Sequence, residues 1–217
     1  MKQYVADFET TIPKTKEITE TTRVWGYGIA EIGDITNFMC GTQLDEFMGW
    51  CKKGENKEVF FHNLKFDGAF LIQWLFRNGF TYSRAKKDKP DKSFSCLISS
   101  MGQFYSIEVI WSSHKKRYRK TEFKDSLKKL PFPVKVIAEA FGLEMKKGDI
   151  DYKTERPEGH QLTPDEIDYI RNDVQIVAQA LGIQFDQGLT QMTVGSDSFT
   201  SYKTMLGGGD KKTGQKR

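Results

Sequence analysis

The chain has 217 residues, a net charge of +4, 38% hydrophobic and 13% aromatic residues, and 29% charged residues. That length and apolar share exclude a stapled miniprotein and a disordered tail, and support one substantial core. Cys40, Cys51 and Cys96 are too scattered for a disulfide framework or a zinc cluster, and no run approaches the ~20 apolar residues of a membrane-spanning helix.

In chain order, residues 2–9 and the aromatic, β-branched stretch 23–32 predict neighbouring strands, with a further strand at 35–39, so that a meander opens the fold. Leu44, Phe47, Met48 and Cys51 recur at helical spacing within 43–53, with Gly54 as the stop, and 58–61 reads as a short buried strand. Residues 66–80 predict an amphipathic helix closed by Asn78-Gly79. Strands are expected at 94–99, 104–111 and 118–126, then a glycine-capped helix at 134–142 and a polar loop at 148–162. Thr163 as N-cap, Pro164 at the first helical position and Glu166 completing a capping box predict a long helix to about Gln187. Beyond residue 188 the chain is expected to loosen at Gly195 and at glycines 207–209. Strands first, then helices interleaved with strands, indicate an α/β mixed sheet flanked by helices.

Basic residues concentrate in 84–92, 114–120 and 210–217, runs that serve either as solvated loops or as nucleic-acid contacts. Asp7 and Glu9 break the apolar stretch near the N-terminus, which therefore does not read as a secretory signal, and a cytoplasmic location is expected.

The same two acids raise the first chemical question. Side chains alternate along a strand, so Asp7 and Glu9 share one face and Phe8 takes the other. Carboxylates held so close repel, unless cations bind between them or solvent separates them at a sheet edge. Asn63 and Asp67 lie between a buried strand and an apolar helix, where sheet proteins place functional side chains, although an acid there also serves simply to cap the helix. Tyr169 and Asp173, four residues apart on a helix, offer a phenol and a carboxylate to one site, at the border of the apolar face formed by Ile170, Val174 and Val177. Taken singly, each acid has an ordinary structural explanation. Taken together, acids from a strand, a loop and a helix have the makings of a two-metal site for phosphoryl transfer to water.

The order D-x-E (Asp7, Glu9), N-x-x-x-D (Asn63, Asp67) and Y-x-x-x-D (Tyr169, Asp173) resembles the three Exo motifs of DnaQ-like proofreading exonucleases. More closely, FHNLKFDGAF, DSLKKLPFPVK, KGDIDY and ERPEGHQLTPDE resemble the exonuclease domain of protein-primed family B DNA polymerases of tailed phages, up to about residue 199. The resemblance implies an RNase H-like fold, with a 3′–5′ exonuclease domain over 1–190 and the start of a palm-like segment plus a basic tail over 191–217. It implies Asp7, Glu9, Asp67 and Asp173 as ligands of two Mg²⁺ or Mn²⁺ ions, Tyr169 orienting the attacking water and Lys147 stabilising charge on the scissile phosphate. It further implies single-stranded DNA contacts from Thr10, Asn63, Phe66, Ser126 and Leu127, and DNA or terminal-protein contacts from Phe60, His62 and Phe70. Phe60 departs from the tyrosine expected there. Single-stranded DNA, a terminal protein and a separately encoded polymerase subunit are the implied partners, with no membrane. No polymerase activity is expected from this chain alone, because 201–217 holds a single acid, Asp210, and no set of palm aspartates.

Overall fold

The computed structural model describes residues 1–11, 22–85, 88–114, 117–145, 148–152 and 154–206. Its opening meander is β1 (Lys2–Thr10), β2 (Val24–Glu31) and β3 (Asp34–Gly41), each antiparallel to the next. After α1 (Leu44–Lys52), β4 (Lys57–Phe61) returns parallel to β1, pairing Val5 with Phe60. Helix α2 (Leu64–Arg77) leads to the short β5 (Thr81–Tyr82), then β6 (Ser93–Ile98), β7 (Phe104–His114) and β8 (Arg117–Asp125). β8 slots in parallel beside β4, so the sheet order is β3-β2-β1-β4-β8-β7-β6-β5. A single 3-10 turn at Ser126–Lys128, α3 (Val134–Ala140), α4 (Pro164–Asp186) and α5 (Val194–Met205) complete the described chain.

The alternation along β1 splits the core in two. Tyr4, Ala6 and Phe8 face α1 and α2, where Phe47, Phe61 and Phe123 cluster, and Phe8 meets Phe47 and Phe61 edge-on at 4.9 Å between ring centroids. Val5 faces the other way, into a second cluster built with Phe60, Ile137 of α3 and Val174, Val177 and Leu181 of α4. α4 lies across β1, β2 and β3. Its start is as expected: the Glu166 N–H donates to Thr163 Oγ1 at 3.3 Å and the Thr163 N–H to Glu166 Oε2 at 3.0 Å.

Away from α4 the second sheet face carries cross-strand charges instead of apolar residues. Lys124 meets Glu58 at 2.5 Å, and Lys120 and Lys89 both meet Glu108. Burial works to raise the Glu58 and Glu108 carboxyls, yet hydrogen bonds from Lys124 and Gln3 to the first, and from Lys120 and Lys89 to the second, hold both below their ordinary value. A carboxyl depressed in the folded state stabilises above its unfolded pKa, and that contribution is lost as pH falls through the folded value. The urea midpoint should therefore drop below about pH 4.3, the ordinary glutamate value, and a Glu58→Gln, Glu108→Gln variant should show a smaller drop.

Two elements differ from expectation. β5 is a two-residue edge strand too short to carry periodicity. Past residue 188, Val194–Met205 form α5, in which Gly195 occupies the first turn; the Ser196 N–H donates to Thr193 Oγ1 at 3.1 Å, and Asp197 is pinned to buried Lys129 at 2.5 Å, while glycines 207–209 lie outside the described residues. An N-cap and a buried ion pair outweigh one glycine at a helix start, where its entropic cost is smallest. Gly49 is a different case, since it lies inside α1 and an added Cβ would meet nothing within 4 Å. Gly49→Ala should stabilise the protein by about 0.5–1 kcal/mol, read as an upward shift of the urea midpoint.

Candidate active site

Because β1, β4 and β8 run parallel, their C-terminal ends lie side by side, and side chains leaving those ends converge. Asp7 and Glu9 come from the end of β1, where the register with β2 shifts between Glu9 and Thr10. His62 and Asn63 follow β4, and Asn63 takes a left-handed backbone (φ 81°) that turns the chain straight into α2. Asp125, ending β8, holds that turn: its Oδ1 accepts from the N–H groups of Asn63 at 3.1 Å, Leu64 at 3.4 Å and Leu127 at 3.0 Å. Asp67 thereby enters on the first turn of α2, buried.

The remaining acid arrives on α4, and two glycines let it come close. Gly26 and Gly28 pair with Glu9 and Asp7 across the β1–β2 ladder. A Cβ on Gly28 would lie 2.4 Å from Ile170 Cγ2, and one on Gly26 would lie 3.2 Å from Ile170 Cδ1. Neither glycine has a positive φ, so space, not backbone freedom, explains them. Ile170 seats in that trough, and its helix neighbours Tyr169 and Asp173 are brought over the β1 acids.

A cavity of about 310 Å³ results, into which Asp7, Glu9, Asp67, Asp173 and Tyr169 project. One oxygen from each of Asp7, Glu9 and Asp173 lies within 4.8 Å of the others. Asp67 lines the same cavity outside that tight group, and its buried Oδ1 has no hydrogen-bond partner among the described residues. Burial pushes the Asp67 carboxyl up to about 7; the backbone N–H groups of Asp67 and Phe8 pull against this, while the charges of Glu9 and Asp125 add to it. Such a set, all oxygen donors with one orphaned and crowded by like charge, fits hard divalent cations such as Mg²⁺ or Mn²⁺. Tyr169 is buried, and its hydroxyl lies 2.7 Å from that of Tyr152. Burial and the charges of Asp173 and Glu9 push the phenol far above its ordinary value, so it stays protonated and can act as a donor.

Residues 51–215 match the family described as DNA polymerase type B, organellar and viral. The chain belongs to that family. It is 51% identical over 205 residues to the DNA polymerase of Bacillus phage phi29 and 49% identical to that of Bacillus phage Nf, covering 94% of this chain and 34% of each relative. The DNA polymerase of Streptococcus phage Cp-1 is 30% identical over 217 residues. Among solved structures, phi29 DNA polymerase complexed with single-stranded DNA superposes with a TM-score of 0.88 at 49% identity, over 94% of this chain and 35% of that one. The ternary complex of phi29 DNA polymerase with primer-template DNA and incoming nucleotide gives 0.86. The fold is RNase H-like, and the chain spans about a third of the length of the curated relatives it matches.

In this member of the type B family, Thr10, His62, Asn63 and Phe66 also line the cavity, with Phe66 half exposed. Phe70 lies behind Phe66, edge-on at 5.7 Å between ring centroids, and packs on the core. Ser126 is fully buried, bonded to the Phe61 carbonyl at 3.1 Å and to His62 Nδ1 at 3.0 Å, and Leu127 is half-buried; neither lines the cavity. Phe60 does not reach the cavity either. It is 5% exposed in the α3–α4 core against Phe185, because residues on β4 alternate and its neighbours Val59 and Phe61 take the other face. Lys147 lies outside the described residues. Gly26, Gly28, Asp125 and Tyr152 shape or line the cavity without belonging to the acidic motifs. Glycines in a strand interior, and an Asp at the end of a strand before a turn, were the available signals. No helix among the described residues is long and apolar enough to cross a membrane.

Proposed function

We propose that the chain is a metal-dependent 3′–5′ exonuclease of proofreading type, which hydrolyses single-stranded DNA ends to nucleoside monophosphates. The carrying observation is the convergence of Asp7, Glu9 and Asp173 within 4.8 Å, in a cavity that also receives Asp67. Two Mg²⁺ or Mn²⁺ ions held by Asp7, Glu9, Asp67 and Asp173 would supply an activated water and neutralise charge around phosphorus. Protonated Tyr169 donates a hydrogen bond that orients the attacking water. The half-exposed ring of Phe66 offers a stacking face for a terminal base, and the polar side chains of Thr10 and Asn63 face the sugar-phosphate chain. Stacking and backbone contacts make little use of base identity. Hydrolysis places the water oxygen on phosphorus and returns a 3′-hydroxyl on the shortened strand.

With a 5′-labelled single-stranded oligonucleotide, Mg²⁺ or Mn²⁺ should give a ladder shortening from the 3′ end, and a chelator should abolish it. Shortening from the 5′ end, or cleavage that survives chelation, would sink the proposal.

A second reading, a module that holds a polymerase subunit, a terminal protein or a host factor, is favoured by α5. Phe199 and Tyr202 on that helix are more than half exposed and Met205 is 84% exposed, while Lys129–Asp197 anchors the helix to the rest of the fold. Retention of a separately produced polymerase region of a phage relative on the immobilised protein, lost on Phe199→Ser with Tyr202→Ser, would favour it.

A further inference from the structure

Tyr152 shares its hydroxyl hydrogen bond with Tyr169, yet the residue is 48% exposed and sits in a polar loop with no regular structure. An exposed ring on a loop does not hold a 2.7 Å contact by packing, so its aim must come from the backbone on either side. That backbone is wound around one side chain. Arg156 is 6% exposed, and its Nη1 donates to the Asp151 carbonyl at 3.0 Å and to the Thr154 carbonyl at 3.1 Å, one on each side of Tyr152. Its Nε donates to Glu166 Oε1 at 2.7 Å. The guanidinium lies 4.2 Å from the centroid of the Trp25 ring, and its own backbone carbonyl accepts from Arg23.

Glu166 completes the anchor. Its second oxygen accepts from the Thr163 N–H at 3.0 Å and pairs with His160 Nε2 at 2.7 Å, so the carboxylate is fixed at the start of α4. Glu166 and Tyr169 are three residues apart and share a face of that helix. One guanidinium therefore refers the loop carrying Tyr152 to the helix carrying Tyr169, with Trp25 of β2 as the plate behind it. Lysine cannot reproduce this, because its single ammonium lacks the planar fork that reaches a carboxylate and two carbonyls while lying against an indole.

We propose that Arg156 is a positioning residue that acts on the reaction only through Tyr152, by holding the Asp151 and Thr154 carbonyls so that the Tyr152 hydroxyl meets Tyr169 in the cavity. This rests on the exonuclease reading of the site. Arg156→Lys should slow removal of 3′ nucleotides from single-stranded DNA by about 10-fold, within the range that small misplacements near a reacting centre produce. In a Tyr152→Phe background the same substitution should change the rate less than about twofold, since the contact it aims is already gone. A full further 10-fold loss in that background would overturn the proposal. Hydrogen exchange supplies a readout independent of turnover: Arg156→Lys should speed amide exchange across 150–156 by about 10-fold and leave β1 unchanged. Unchanged exchange in that loop also overturns it. Wild-type protein that leaves DNA intact sinks the exonuclease reading, and the exchange comparison then decides the clamp by itself. If Arg156→Lys fails to fold, Arg156→Met with Glu166→Gln removes both charges together and enters the same cycle.

Discussion

Replacing Asp7 and Glu9 together by alanine should reduce hydrolysis of a 3′ end by at least about 10³-fold, and it should also raise the melting temperature of the metal-free protein. The first effect follows from removing two of the three carboxylates whose oxygens lie within 4.8 Å of one another. The second follows from what those carboxylates do when no cation separates them. Unit charges about 4–5 Å apart near a protein surface repel by roughly 4 kcal/mol, and solvent at partly exposed Asp7 reduces that. A net gain of about 1–2 kcal/mol is reasonable, which in a chain of this size moves the melting temperature by roughly 2–8 °C. Divalent cations should raise the melting temperature of the wild type and leave the double variant unmoved. A variant that melts lower than wild type and still responds to Mg²⁺ would show that the acids hold the fold and not a cation.

That trade between stability and function explains why the acids were legible early. A strand with two acids on one buried face violates the ordinary economy of a core, and Glu9 at 6% exposure is more buried than an unassisted carboxylate tolerates. The elements around it were legible for the opposite reason. The period-2 pattern of β1, the capping box of α4 and the Asn78-Gly79 stop of α2 agree with their tertiary surroundings, so local rules sufficed. Motif order and resemblance then pointed to one site.

Other features were hidden because their cause is not local. The resemblance implies a DNA or terminal-protein contact for Phe60, but strand parity decides that it joins the α3–α4 core. Asp125 looks like one more acid in a charged strand, and only the parallel pairing of β4 with β8 brings it under the backbone of Asn63 and Leu64. Tyr152 sits in a loop whose course depends on a buried guanidinium, and no periodicity reports that. α5 looked like an unravelling end because its ion pair partner, Lys129, lies 68 residues earlier in the chain.

Gly28 is the hidden position with the largest expected effect. By local rules Gly28→Ala should help, since glycine weakens a strand interior and this one has no positive φ to protect. Packing predicts the reverse. The new Cβ would lie 2.4 Å from Ile170 Cγ2 and 3.4 Å from the Ile170 carbonyl oxygen, so α4 must shift as a body and not merely turn a side chain. Overpacking of this kind costs about 1–3 kcal/mol. Because Tyr169 precedes Ile170 and Asp173 follows one turn later, the same shift carries both away from Asp7 and Glu9, and a displacement near 1 Å is enough to cost about 10²-fold in rate. Gly26→Ala, whose Cβ would press at 3.2 Å on the movable end of Ile170, should lose far less. Ile170→Ala in the Gly28→Ala background removes the obstructing methyl and should recover part of the activity, although the cavity left by the lost side chain keeps stability below wild type. Full activity in Gly28→Ala alone would mean that the close approach of α4 does not set the site, and that the acids find their spacing by another route.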